Sequence, residues 1–451
     1  MSFLSAFSEK AINLEDAFQA KDITSGAMSK AIAEWNRMYY NQAKTEEEDP
    51  CQQIPFTIVR KLTKTMFSEY VGTAENDFAV GILKTMERVK ERAVQKALIC
   101  GECAMKPIPK ATGWGWTIIP RTAMLVFGRN DDGDITDMGT MEQTDKGPWT
   151  YTLLERRTVE NGYLTIRNML YRSDSSGSIG VRVPLALLPK YENLPEEYTF
   201  TERLDSVGLV FLKTPIENNV DGSADGVSVY SAAAGLIHNI NRNEAQLSGE
   251  FERGKSRVFI SDDLANRRKD GSRGFDDEIF IGVDGSPDET GVTIFSPNLR
   301  DESYHRRKQD YLRACESVIG LKRGILSEVE QAQRTATEIT SSDGDYNLTI
   351  IDFQHMWTKA VAEAMRICGI LGRLYKLPNA RDVAEGEWSL AYGDGVLYNP
   401  EREEAMRYKQ VQAGLLKPEL YLAWYYDLPA QTESDLARIR KEYMPEVLEG
   451  E

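Results

Sequence analysis

Cys100-Gly-Glu-Cys103 is where chemistry would first be sought in this sequence, because two thiols three residues apart can chelate a soft metal or close a redox disulfide. Either use needs further groups. The other cysteines stand at 51, 315 and 368, none of them in a second CxxC, and only His238, His305 and His355 could complete a zinc site. Five is also an odd count, which argues against a disulfide framework. We expect neither metal nor redox chemistry and read the pair as two small thiols ending a helix. The Asp and Gly cluster at 131–134 has the composition of a calcium loop without its ligand spacing or closing Glu, so a plain turn is expected there. No phosphate loop, nucleophile elbow or metal cluster is expected on the long helices. A nuclease or redox enzyme would need a constellation that the scattered carboxylates and this thiol pair do not form.

The elements around these residues look like apparatus. With 451 residues the chain exceeds what one hydrophobic core serves, so two or more domains are expected. Acidic residues outnumber basic ones 70 to 54, a net charge of −16, so composition predicts no basic surface that grips nucleic acid. The N-terminus lacks a basic-then-apolar leader and no run of about 18 apolar residues occurs, so neither export nor a membrane span is expected. A soluble intracellular product is the expectation.

In chain order, helical periodicity around Ile32, Trp35, Met38 and Tyr39 breaks at the acidic run 46–49. From Pro55 to Leu98 the spacing fits two helices or a kinked one, interrupted at Gly72. Residues 104–215 change character. Trp114–Ile119, Met124–Phe127, Trp149–Leu153, Tyr163–Ile166 and Leu209–Leu212 are short β-branched or aromatic runs, bounded by turn pairs such as Asp132-Gly133 and Asn161-Gly162, and predict antiparallel hairpins. The stretch from Gly226 to Thr340 organises the rest. Val229, Ala233, Leu236, Ile237, Ile240, Leu247 and Phe251 predict a helix of about 40 Å. An insert over 253–300 holds three strand candidates, at 257–260, 278–283 and 292–295. A second helix spans 301–319, Gly320 and Gly324 break it, and a third starts near Thr335 with Tyr346, Ile350, Phe353, Trp357, Val361, Ala364, Cys368 and Leu371 on one side. That aromatic stripe is read as core rather than a ligand box. The tail is helical again over 401–412, 418–426 and 432–443. The fold class is α+β.

The order of these parts, with the strings Phe211–Asn219, Gly226–Tyr230, Phe251–Phe259, Thr335–Ile339, Tyr398–Arg402, Gln412–Leu416 and Leu436–Glu442, resembles the portal proteins of long-tailed bacteriophages. The likeness in organisation covers nearly the whole chain. It implies a portal-like subunit: an antiparallel β-containing wing over 1–225, stem helices at 226–252 and 301–319, and a small α/β clip at 253–300. A tunnel loop at 320–334, a long helix returning to the wing over 335–399 and a helical crown at 400–451 would complete it. Copies would form a ring, commonly of twelve, at one capsid vertex of the virion, assembled in the host cytoplasm. Its partners would be double-stranded DNA in transit, the terminase packaging motor, the major capsid and scaffold proteins and the head-tail connector, with no cofactor and no membrane. The tunnel loop would bring Lys322, Arg323, Glu328, Glu330 and Arg334 to the DNA, and the clip would offer Arg267, Arg268 and Lys269 to partners. Another virion component, of tail or minor head, is the rival structural reading.

Overall fold

Among the described residues helices come first, an antiparallel β region follows, and long helices with a final short strand complete the first of two units, Met1–Tyr392 and Gly393–Glu451. The computed structural model describes residues 14–42, 50–110, 113–174, 178–255, 257–261, 280–283, 292–295, 298–328, 336–393, 400–426, 428, 430 and 433–444. Helices and sheets are mixed, consistent with the α+β class.

Helix α1 (Gly26–Tyr39) starts at Ser25, whose hydroxyl caps the Met28 N–H at 3.1 Å. Where one kinked helix or two were expected, three form: α2 (Ile54–Met66), then strand β1 (Val71–Ala74), α3 (Asp77–Glu87) and α4 (Lys90–Cys100). Gly72 lies in β1, and Asn76 caps α3 through the Ala79 N–H at 2.8 Å. The thiol pair does not simply end a helix. Cys100 closes α4, Gly101 turns the chain at φ +85°, and Cys103 already lies in strand β2 (Glu102–Lys110).

Strands β3 (Gly113–Pro120), β4 (Met124–Arg129), β5 (Ile135–Lys146), β6 (Trp149–Glu160), β7 (Tyr163–Ser173), β8 (Val181–Val183), β9 (Glu197–Thr199) and β10 (Val210–Lys213) follow. β10-β2-β3 form one antiparallel sheet; β4 to β8 form another in sequence order, with β9 added beside β7. The β6–β7 turn places Asn161 at φ +54° and Gly162 at φ +80°, the left-handed pair that a two-residue hairpin requires. The 131–134 cluster is the plain β4–β5 turn, closed by Asn130 N–H to Asp134 O at 2.9 Å.

The expected helix from 226 begins only at 234, as α5 (Ala234–Arg253), about 30 Å long. Residues 226–233 are spent on a joint instead. A Cβ on Gly101 would lie 2.2 Å from the Gly226 carbonyl carbon, Thr214 Oγ1 donates to Val227 O at 2.7 Å, and Val229 N–H donates to Leu98 O at 3.0 Å. Strands β11 (Arg257–Ser261), β12 (Phe280–Val283) and β13 (Val292–Phe295) follow α5, with β11 central, parallel to β12 and antiparallel to β13. α6 (Asp301–Ile319) then returns beside α5, and α7 (Ala336–Leu374) is the longest helix, at 39 residues. β14 (Trp388–Ala391) pairs with β1, tying the end of this unit to the segment between α2 and α3. Tyr346, Ile350, Phe353, Trp357, Val361, Ala364, Cys368 and Leu371 of α7 are all buried in one core with α1 to α4. The second unit carries α8 (Pro400–Gln412), α9 (Pro418–Tyr425) and α10 (Glu433–Tyr443).

Candidate functional site

The α5–α6 hairpin buries little of itself. Of α5 only Ile237, Ile240, Asn241 and Asn243 are buried, and of α6 only Gln309, Leu312, Cys315 and Glu316. Polar contacts hold the two helices in register instead. Asn243 Nδ2 donates to Tyr304 O at 3.1 Å, Lys308 reaches Glu244 at 2.8 Å, and Arg300 grips Glu250 through two bonds of 2.9 and 2.7 Å. Lys308 also donates to Gln52 at 3.2 Å, anchoring the hairpin to the turn before α2. Phe251 near the end of α5 and Val318 near the end of α6 stay about half exposed, at 48% and 51%, so one apolar side chain remains open toward each end of the hairpin.

Beyond α6, Gly320 caps the helix in the left-handed region at φ +77°, and a Cβ there would meet Thr349 Oγ1 of α7 at 2.6 Å. Residues 321–328 do not project freely, as two helix-breaking glycines alone would predict. They are folded back onto α6 by the buried Glu316. Its Oε1 accepts the N–H groups of Gly324, Leu326 and Ser327 at 3.1, 2.6 and 2.9 Å, and its Oε2 accepts the Ser327 hydroxyl at 2.7 Å. One turn-pair further back on α6, Gln309 Oε1 accepts the Glu328 N–H at 2.9 Å, and His305 lies 3.4 Å from the Glu328 carboxylate. Glu316, Gln309 and His305 fall on one helical face, so residues 324–328 run back along about 10 Å of α6.

Of the residues expected at the tunnel loop, Lys322, Arg323 and Glu328 are exposed on this returning segment. Glu330 and Arg334 lie outside the described residues, as do Arg267, Arg268 and Lys269 of the clip. Glu316 and Gln309 were missed in the sequence. The available signal was a carboxylate among Leu312, Cys315 and Ile319 on the apolar side of a helix, just before two glycines.

The sequence expectation of no phosphate loop overlooked Gly249-Glu-Phe-Glu-Arg-Gly-Lys-Ser256, which spells the GxxxxGKS pattern. The fold places these letters in the wrong context. Residues 249–253 complete α5, the Gly254 N–H is taken by Glu250 O at 2.7 Å, and a strand follows. A phosphate loop leaves a strand and opens a helix, offering free N–H groups at the positive helix end; this string instead closes a helix at its negative end, with the Gly254 N–H already used.

The thiols are equally unsuited to nucleophilic or redox work. Burial pushes the Cys100 thiol up to about 12, and burial with the neighbouring Glu102 carboxylate pushes Cys103 up as well. Cys103 donates to Ala93 O at 3.2 Å. Among the described residues no three His, Cys, Asp or Glu side chains gather as metal ligands, and no helix is long and apolar enough to cross a membrane. An open cleft of about 680 Å³ lies between the β4–β5 turn, residues 205–215 and α7, and its walls mix Arg129, Lys213 and Lys359 with Asp132, Asp352 and Glu363. Mixed signs of charge select no single class of ligand. No protein-family model matches the chain, and no curated protein matches it either.

Proposed function

We propose that this chain is the portal subunit of a tailed bacteriophage. In this reading copies assemble into a ring, of about twelve by the family's habit, at one vertex of the capsid, and its channel passes DNA during packaging and ejection. The terminase motor supplies the phosphate chemistry, and the ring docks that motor, the capsid and scaffold proteins and later the head-tail connector. The observation that carries the reading is the α5–α6 hairpin with a three-stranded sheet between its helices: it is amphipathic, tied to a larger α+β body at one end, and leaves Phe251 and Val318 uncovered. Heterologous contacts between such hairpins that close on themselves give a ring. The acidic composition suits a channel that must let DNA slide, since each phosphate neutralised by Lys or Arg adds salt-dependent affinity. Sedimentation of the purified protein tests the reading. A single closed species of many times 50.9 kDa is expected, and a folded monomer that persists at high concentration would count against it.

A further inference from the structure

We infer that Glu316 is a positioning residue, a latch that holds residues 321–328 against α6 and so fixes where Lys322, Arg323 and Glu328 stand along that helix. The inference rests on the portal reading for its consequence, and on geometry alone for the latch. A buried carboxylate is costly unless its lone pairs are filled, and here four donors fill them, three backbone N–H groups within residues 324–327 and the Ser327 hydroxyl. All three backbone donors converge on the single atom Oε1. No other described side chain supplies acceptors to Gly324, Leu326 and Ser327, so this one group organises the return over 324–327. Gln309 fastens the next residue, Glu328, through its backbone N–H, and the exposed pair His305–Glu328 adds little in water. In a ring of such subunits the latch decides at what height along the stem Lys322, Arg323 and Glu328 stand, and with it which of them meets the channel.

The bonding pattern also says which substitution should be tolerated. In Glu316→Gln the amide oxygen can replace Oε1 and keep all three backbone bonds, while the Ser327 hydroxyl turns to accept from the amide N–H₂. Glu316→Ala leaves the three N–H groups without an acceptor. Amide hydrogen exchange of the full-length protein reads this directly. Gly324, Leu326 and Ser327 should exchange about tenfold or more faster in Glu316→Ala, remain within a few-fold of wild type in Glu316→Gln, and the Asn243–Tyr304 region should not change. Unchanged protection in Glu316→Ala would overturn the latch. If that variant fails to fold, loss of protection in Glu316→Gln equal to that of a shortened Glu316→Asp would overturn it too, because the amide should rescue what the shorter acid cannot. The positioning claim is read separately, as DNA packaging by rings that assemble normally: slowed packaging with Glu316→Ala and near-normal packaging with Glu316→Gln support it, and wild-type rates in both overturn it. Absence of any ring in the wild-type protein would sink the portal reading, and the exchange result would then stand on its own.

Discussion

Cys103 gives its thiol hydrogen to Ala93 O and Cys100 lies against α1, so a serine at either position exchanges sulfur for a smaller, more polar atom in a packed interior. The Cys100→Ser, Cys103→Ser double variant should keep fold and assembly and lose about 1–3 kcal/mol of stability, measured by denaturant titration. Stoichiometric zinc in the wild type, lost together with assembly in the variant, would contradict this. Glu155 on β6 gives a pH test. Burial pushes its carboxyl up, but Arg157, whose Nε donates at 2.7 Å, and Lys106 together outweigh burial and hold it at about 2. Its folded value lies below the ordinary 4.5, so its contribution is fully present above 4.5 and is lost as pH falls toward 2. Glu155→Gln should therefore cost about 3 kcal/mol at neutral pH, and its gap from wild type should shrink across that window. A gap that stays constant from pH 5 to 2 would refute the assignment. Little of this was legible in the sequence. The thiol pair was visible as letters, and Glu155 and Arg157 share one face of β6, whereas Lys106 reaches Glu155 only because β2 and β6 fold together, and Glu316 finds its donors only because the chain reverses after Gly320.

At the scale of elements, periodicity worked where one helical face meets a core. The α7 stripe was readable because its spacing by threes and fours is the burial itself, and the C-terminal helices fell within a residue or two of their expected limits. It failed where tertiary contacts take over. Val229 and Ala233 match the α5 face, yet residues 226–233 are held off the helix by the Gly101–Gly226 contact and by bonds to the end of α4. β2 and β5 were missed because their Lys, Pro, Asp and Gln residues dilute the alternation that marks a strand. The strand candidates of the insert correspond to β11, β12 and β13. The segment 320–334 holds Lys322, Arg323 and Arg334 against Glu328 and Glu330, a net +1 per copy. Near-neutral charge suits a strand of protein that touches moving DNA, because excess cations would trap phosphates. Glu328→Lys with Glu330→Lys raises the segment to +5 and should leave assembly normal but slow DNA passage, most at low salt. Packaging by intact variant rings that is unchanged across salt concentrations would contradict the proposal that this segment faces DNA.

For the whole molecule, the sequence carried the order of parts better than their joints: a long helix, a small sheet, a returning helix, a break and a longer helix are all present in that order. What it could not carry is which apolar positions stay open: Phe251 and Val318 share the spacing of their helices' apolar faces yet remain about half exposed. The central claim is that these surfaces close a ring around a channel. Electron microscopy of the purified protein, classified in top view, tests it most directly. The account predicts a closed, rotationally symmetric ring with a central opening wide enough for a DNA duplex; solid particles, open filaments or isolated subunits under conditions where the chain is folded would contradict it.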